Sequence, residues 1–196
     1  MLSGSVLFFV PVSKGGRLVE KDITTNNLIE NNDVFADIAN VNIFGGETVI
    51  KQEDLEAVPI DTSYKDLDGK YRRLFRDTLK KVNNIGGCIA FLGCESQTEI
   101  NNVMPVRHLG YNYTVYTKQI QDIVAENNRN KHSAYAKVIH DDQKLIPVVT
   151  FVLYFGKGKW EKPLTLMEIL DIPEKDTEFW KTLIDDHKIK VIHMAD

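Results

Sequence analysis

The stretch LIPVVTFVLYF, residues 145–155, is a nearly continuous run of aliphatic, β-branched and aromatic side chains. A strand that is covered on both faces of a sheet has this composition, because neither face requires polar side chains. Pro147 stands near the beginning of the run, where a missing backbone N–H is tolerated. The run therefore predicts a central strand buried on both faces, and the rest of the chain can be interpreted outward from it.

A helix and a hairpin are predicted upstream of this strand. After Pro105, apolar residues recur every three to four positions as far as the polar residues 127–131, which indicates a long amphipathic helix. The turn-forming residues 83–87, NNIGG, precede the apolar run CIAFLGC at 88–94, which indicates a hairpin. Residues 71–82 fit a helical face and a strand face equally well, so their spacing leaves both structures open.

The two ends of the chain predict further short elements. A helix is expected over residues 27–43, ended by Phe44-Gly45-Gly46, and the acidic residues 53–58 are interpreted as a connector before Pro59. The tail adds two short helices and a last strand, at 164–170, 178–184 and 189–192. The predicted order is α, β, β, α, β, α, α, β, which indicates an α/β protein.

Length and composition indicate one folded domain. The chain has 196 residues, of which 43% are hydrophobic and 27% charged, and these values exclude disordered and fibrous proteins. Cys88 and Cys94 have neither disulfide-framework nor zinc spacing, so a cytoplasmic location is expected. The apolar run at 6–10 is too short to span a membrane and lacks a basic start. Residues 1–17 are therefore expected to be a short strand or a leader, and residues 18–196 the domain.

The charge is distributed unevenly along the chain. The net charge is −4, yet residues 20–61 contain ten acidic residues against two lysines, a local charge of −8. Residues 65–81 contain seven basic residues against three acidic ones, a local charge of +4. The basic stretch is the one that can face nucleic-acid phosphates, although a solvated face has the same composition.

Polar side chains come directly after the predicted strand of the hairpin. Glu95 and Gln97 are two residues apart, so in a strand both side chains point to one face. If the preceding segment is the partner strand, Asp77 brings a second carboxylate beside Glu95. Two carboxylates and a main-chain carbonyl are ligands that Mg²⁺ or Mn²⁺ prefers, and such a metal promotes hydrolysis of a phosphodiester while Gln97 orients the water. An ordinary polar strand end has the same pattern.

Other site types have little support in the sequence. The five histidines form no HxxxH or HExxH pair, no nucleophile elbow is present, and the Gly-Gly pairs lack the Lys-Ser or Lys-Thr of an ATP-binding loop. Two aromatic or basic groups fit either nucleic-acid contacts or ordinary packing and solvation: Tyr111, Tyr113 and Tyr116, and the lysines Lys157, Lys159 and Lys162 around Trp160.

An ordered set of short motifs resembles a known family. These are KDIT at 21–24, VFADIAN at 34–40, FGG at 44–46, RD at 76–77, LGCESQ at 92–97, MPVR at 104–107, LIPVVT at 145–150 and YFG at 154–156, followed by Trp160 and PLTL at 163–166. In this order they resemble the recombination-promoting nuclease family, the YhgA-like transposases, within the PD-(D/E)XK nuclease superfamily. The resemblance covers about residues 21–192. It implies a restriction-endonuclease-like mixed central sheet flanked by helices, and Mg²⁺-dependent DNA endonuclease chemistry.

The resemblance also assigns roles to individual residues. Asp77 and Glu95 are the expected metal carboxylates, with the main chain of Ser96 as a further ligand. Gln97 stands where most of the superfamily has lysine, and Arg107 is expected to hold a phosphate or to pair with a carboxylate in the domain. Asp37 and Asn40 match a family motif and are weaker candidates to line the cleft.

The expected DNA contacts come from four basic residues, Arg73, Arg76, Lys80 and Arg107. Relative to the family the domain is expected to be short at its C-terminus. Mg²⁺, or alternatively Mn²⁺, is the expected cofactor, without a nucleotide, and DNA is the expected partner, without a membrane and with an oligomer possible. The alternative is a DNA-binding or protein-interaction module that keeps the nuclease fold without cleaving.

Overall fold

The computed structural model describes residues 27–59, 63–65, 71–73, 77–85, 88–129 and 139–194, with the backbone alone described for 63–65, 71–73 and 88. The predicted leader at 1–17 and the predicted DNA contact Arg76 lie outside these ranges, as does the side chain of Arg73. The strands are β1 Leu55–Ala57, β2 Ser63–Lys65, β3 Tyr71–Arg73, β4 Thr78–Ile85, β5 Cys88–Gln97, β6 Val148–Tyr154 and β7 Lys190–His193.

Five of these strands form one mixed sheet in the order β1-β4-β5-β6-β7. Strands β1, β4 and β5 pair antiparallel, whereas β5, β6 and β7 pair parallel. Strands β2 and β3 form a separate antiparallel hairpin. The predicted strand at 145–155 is therefore confirmed as β6, which lies between β5 and β7 in the parallel half of the sheet.

In the described part of the chain, the α-helices with defined bounds are α1 Asn32–Asn42, α2 Met104–Arg129 and α3 Thr177–Lys181, and residues 27–30 are also helical. The side chain of Asn31 caps α1 by accepting a hydrogen bond from the Asp33 backbone N–H. The chain leaves α1 through Gly45 and Gly46, whose φ angles of 68° and 90° favour glycine, as the sequence predicted. None of the helices in the described ranges is long and apolar enough to cross a membrane.

Both faces of the sheet are covered, and β6 contributes to both because its successive side chains point to opposite faces. Phe151 and Leu153 join the core formed with α1, whereas Val152 and Tyr154 pack with Met104 at the start of α2. This two-sided burial agrees with the prediction for β6, apart from Val149, which is 42% exposed. The molecule is thus an α/β protein with a mixed sheet flanked by helices.

Two predicted elements were wrong. The supposed connector at 53–58 contains β1, a three-residue edge strand that is too short to show an alternating pattern. The predicted helix at 164–170 is a single 3₁₀ turn, Met167–Ile169. Residues 164–166 pair with the segment before β7 instead of starting a helix: the Leu164 carbonyl accepts the Ile189 N–H, and Thr165 forms a β-bridge to Lys188.

The undecided segment at 71–82 is extended wherever it is described. Tyr71–Arg73 forms β3 and Thr78 begins β4, which runs through the predicted turn residues to Ile85. The hairpin that the sequence predicted is the β4–β5 pair, with Thr78 opposite Cys94. This register determines which side chains meet at the end of β5.

Candidate active site

Two carboxylates meet where β4 begins and β5 ends. Because Thr78 is opposite Cys94, the residue before it, Asp77, lies beside Glu95. The Asp77 Oδ2 atom accepts a hydrogen bond of 2.6 Å from the Ser96 backbone N–H. On the same face of β5, Gln97 Nε2 donates to Glu95 Oε1 at 3.1 Å. The structure therefore brings together the three side chains that the sequence singled out.

Helix α2 adds a cation to this group. Arg107 lies in its first turn and donates through Nη2 to Glu95 Oε1 at 2.6 Å. The Glu95 side chain is 4% exposed and that of Arg107 is 35% exposed, so the carboxylate is buried beneath a guanidinium that still reaches solvent. Arg107 pairs with a carboxylate, which was one of the two expectations for it. The other expectation, a phosphate contact, is compatible with this geometry, since a paired guanidinium has further N–H groups.

Tyr111, one turn after Arg107 on α2, holds the guanidinium in place. Its hydroxyl accepts hydrogen bonds from Arg107 Nη2 at 2.6 Å and Nε at 3.1 Å, and it also hydrogen-bonds Glu95. Sequence reasoning assigned Tyr111 to core packing or base stacking and missed this contact. The i, i+4 spacing from Arg107 was the available signal, because such residues are neighbours on a helix.

The electrostatics of the group follow from burial and from these contacts. Burial opposes the charge of Arg107, but Glu95 above all, with Tyr111 and Asp77, raises the pKa of the guanidinium. Burial raises the pKa of the Tyr111 hydroxyl and Glu95 raises it further, against the opposing effect of Arg107. Arg107 therefore stays charged and Tyr111 stays protonated, so the tyrosine keeps a proton to donate to Glu95.

The main chain of Ser96 offers a third oxygen on the Asp77 side. The Gln97 carbonyl accepts the Phe155 N–H at 2.8 Å and so faces β6. Because the peptide groups of a strand alternate in direction, the Ser96 carbonyl faces the same way as the Ser96 N–H, toward Asp77. Two carboxylates and this carbonyl form a hard-oxygen set, which fits Mg²⁺ or Mn²⁺.

The candidate side-chain ligands at this site are the carboxylates of Asp77 and Glu95. The described residues contain no group of three or more His, Cys, Asp or Glu side chains arranged to hold a metal ion. Asp77 lines a cavity of about 250 Å³ together with Glu30, Val58 and Lys80. A metal ion bound here would therefore depend on Asp77, Glu95 and the Ser96 carbonyl, with waters and substrate completing its coordination.

The position of Lys80 in the structure does not support the DNA contact predicted for it. Its side chain is 1% exposed, and Nζ donates to the Glu30 carbonyl and to Asn32 Oδ1, both at 2.6 Å. The ammonium also lies 5.1 Å from the centre of the Phe35 ring. The alternation of β4 directs Lys80 toward α1, and its ammonium is engaged by the residues at the start of that helix.

Asn40, which the resemblance made a weaker candidate for the cleft, has a structural role. Its Nδ2 donates to the Ile50 carbonyl at 2.7 Å, and its Oδ1 accepts from the N–H groups of Val49 and Ile50. The side chain is 8% exposed and fixes the segment after α1. Asp37 lies on the same helix in an acidic depression lined by Asp33 and Glu53, which disfavours contact with phosphates.

Comparisons with family models, curated proteins and solved structures found no match to this chain. The resemblance to the recombination-promoting nucleases therefore stays a prediction that depends on the motifs and on the geometry of this site.

Proposed function

We propose that this chain is a divalent-metal-dependent DNA endonuclease of the transposase-associated, recombination-promoting type, with a restriction-endonuclease-like sheet. The observation that carries the proposal is the pairing of Asp77 with the Ser96 backbone beside the buried carboxylate of Glu95. The order of elements supports it, since an antiparallel strand pair bearing the carboxylates is followed by a helix and a parallel strand.

Asp77, Glu95 and the Ser96 carbonyl would hold the metal ion. When bound, Mg²⁺ or Mn²⁺ polarises the scissile phosphodiester and lowers the pKa of a bound water. Gln97 donates through Nε2 to Glu95, so its Oε1 is the atom that accepts a hydrogen bond from the attacking water. Gln97 carries no charge, so the positive charge that a lysine would supply at this position has to come from elsewhere.

Arg107 is the side chain that supplies this charge. Its Nη2 and Nε atoms contact Glu95 and Tyr111, which leaves Nη1 to contact a phosphate oxygen. A guanidinium held in this way stabilises the negative charge that develops on the phosphate during hydrolysis. The proposal requires no nucleotide cofactor. The proposal keeps the cytoplasmic location that the sequence predicts, a compartment in which cysteine thiols stay reduced.

The test is nicking of supercoiled plasmid by the purified chain with Mg²⁺, Mn²⁺ or chelator. Glu95→Gln and Asp77→Asn remove one charge each at nearly constant size, and Glu178→Gln, whose side chain is 87% exposed, is the matched control. We expect metal-dependent nicking by the wild type and by the control, reduced at least 100-fold in both site variants. Equal nicking by all four proteins would show that the activity comes from a contaminant.

A module that binds without cleaving is the second candidate, and one observation favours it. The Glu95 carboxylate is already engaged by Arg107 and Gln97, and an ion pair of this kind can serve the fold alone. In that case DNA binding persists, no metal supports nicking, and Arg107→Ala lowers the unfolding free energy without affecting any metal-dependent signal. Metal-dependent nicking that Glu95→Gln abolishes excludes this candidate.

A further inference from the structure

We infer that the segment 156–162, called the lysine loop, holds DNA phosphates next to the candidate active site through Lys157, Lys159 and Lys162. The inference rests on the proposed nuclease function, because it identifies the surface on which the substrate of that site would lie. The sequence around these lysines fits both phosphate contacts and a solvated loop, and their position in the fold favours phosphate contacts.

The lysine loop begins at the edge of the sheet that carries the site. Strands β5 and β6 are parallel, so both end at the same edge. The Phe155 N–H donates to the Gln97 carbonyl at 2.8 Å, directly before the loop. Gly156 packs so closely that a Cβ atom would lie 2.5 Å from the Thr98 carbonyl oxygen. The first lysine thus follows within two residues of a direct contact to the strand of Glu95 and Gln97.

A buried tryptophan fixes the loop while its lysines stay exposed. Trp160 is 2% exposed and packs edge-on against Tyr154, with ring centres 5.4 Å apart. Its backbone N–H donates to His193 Nε2 at 2.9 Å and its indole N–H to the Pro163 carbonyl at 3.2 Å. All three lysines are exposed. The backbone is thereby preorganised, which lowers the entropy lost when the lysines bind a ligand.

The charges around the loop favour an anionic partner. The three lysines outnumber the single acid of the segment, Glu161, in a protein whose net charge is −4. Lys162 Nζ lies 3.7 Å from Glu168 Oε1, but its side chain stays 78% exposed. Glu168 uses its other oxygen to accept the N–H groups of Leu164 and Thr165. The loop is therefore a local positive region in an acidic protein.

A DNA substrate, which carries many phosphates, needs a positive region next to the carboxylates of the candidate active site. Each DNA strand carries one negative charge per about 3.4 Å of axis, and carboxylates repel the phosphates on either side of the one being cleaved. Lysines on a loop at the sheet edge where β5 ends would offset that repulsion without entering the site. Binding through lysines to phosphates releases counterions, so its affinity falls steeply with salt concentration.

The experiment compares two triple variants with the same net charge. The first is Lys157→Gln with Lys159→Gln and Lys162→Gln. The control neutralises three exposed lysines elsewhere, on α2, before β6 and at the start of β7: Lys118, Lys144 and Lys190. Binding to a fluorescent DNA duplex is measured by anisotropy in chelator, over a range of salt concentrations. We expect the loop variant to bind on the order of tenfold more weakly, with a salt slope reduced by about one per lost contact.

The outcomes separate this inference from the nuclease proposal. Equal affinities and salt slopes for the two triple variants would overturn the inference, even if the wild type nicks plasmid. Weaker binding by the loop variant alone would support it, even if no metal yields nicking. If the wild type nicks, the loop variant should need more DNA for half-maximal nicking and keep the saturating rate. A wild type that does not bind DNA would overturn both proposals.

Discussion

The two faces of β4 and β5 each carry a buried contact to a cation, and the two contacts differ. On the α2 face, Arg107 meets the carboxylate of Glu95, and its pKa is raised by that charge despite burial. On the α1 face, Lys80 meets a backbone carbonyl and an amide oxygen, and burial lowers its pKa against the opposing effect of Glu30. The surroundings of Arg107 thus stabilise its positive charge, whereas those of Lys80 disfavour the positive charge of the ammonium.

The difference separates a candidate catalytic group from a structural one. The Arg107 side chain is 35% exposed, so it can contact a ligand while it neutralises Glu95. Lys80 is 1% exposed, and its contacts tie α1 to the sheet. Removal of Arg107 should therefore affect activity most, and removal of Lys80 should affect stability without affecting DNA cleavage.

The largest effect is expected for Arg107→Lys. Lysine keeps the charge opposite Glu95, but it lacks the planar group that contacts Glu95, Tyr111 and a phosphate together. We expect plasmid nicking to fall on the order of 100-fold, the cost of losing one donor to a developing charge. The unfolding midpoint in urea should change little, because the charge pair is retained. A variant that nicks normally but unfolds earlier would place Arg107 in the same structural class as Lys80.

The next largest effect is expected for Lys80→Met. Methionine fills a similar volume but leaves the Glu30 carbonyl and Asn32 Oδ1 without the hydrogen bonds that Nζ donates. We expect the unfolding free energy to fall by about 1–3 kcal/mol, with DNA affinity and nicking unchanged once the protein is folded.

Lys81→Met is the matched control for this substitution. Lys81 follows Lys80 on the same strand, but its side chain is 33% exposed and its ammonium lies 3.8 Å from Glu56. A pair of this kind contributes little, so the control should unfold almost like the wild type. Loss of DNA affinity in Lys80→Met alone, with unchanged stability, would contradict the structural role and restore the original prediction for Lys80.

The same comparison shows what the sequence could and could not predict. Spacing alone placed Glu95 and Gln97 on one face, and the hairpin signal brought Asp77 beside them, because strand alternation is a local property. The orientation of Lys80 required knowing that residues 78–82 belong to a strand and which face of that strand α1 covers. The number of basic residues in a segment shows neither its secondary structure nor which face is covered. The prediction from composition therefore placed Lys80, which is buried, on a DNA-binding surface.

The remaining errors have related physical causes. Strand β1 has three residues, fewer than an alternating pattern needs to be recognised, and its pairing with β4 is a long-range property. The role of Tyr111 depends on where the end of β5 lies relative to α2. The i, i+4 spacing of Arg107 and Tyr111 indicates that they are neighbours on α2, but it does not show that both side chains reach Glu95.

The smallest effect, and the sharpest test of the α2 face, is expected for Tyr111→Phe. The substitution keeps the ring but removes the oxygen that accepts from Arg107 Nη2 and Nε and the proton that bonds Glu95. We expect saturating nicking to fall about tenfold, equivalent to about 1.4 kcal/mol in the barrier, because Arg107 loses its orientation but keeps its charge.

Tyr113→Phe is the control, since Tyr113 lies on the same helix with 54% of its side chain exposed. A positioning role for Tyr111 predicts that the activity losses of Tyr111→Phe and Arg107→Lys are not additive in the double variant, because both act through one guanidinium. Additive losses would mean that Tyr111 acts on Glu95 independently of Arg107. An unfolding midpoint that falls while nicking stays constant would instead make Tyr111 a structural residue, as Lys80 is on the opposite face.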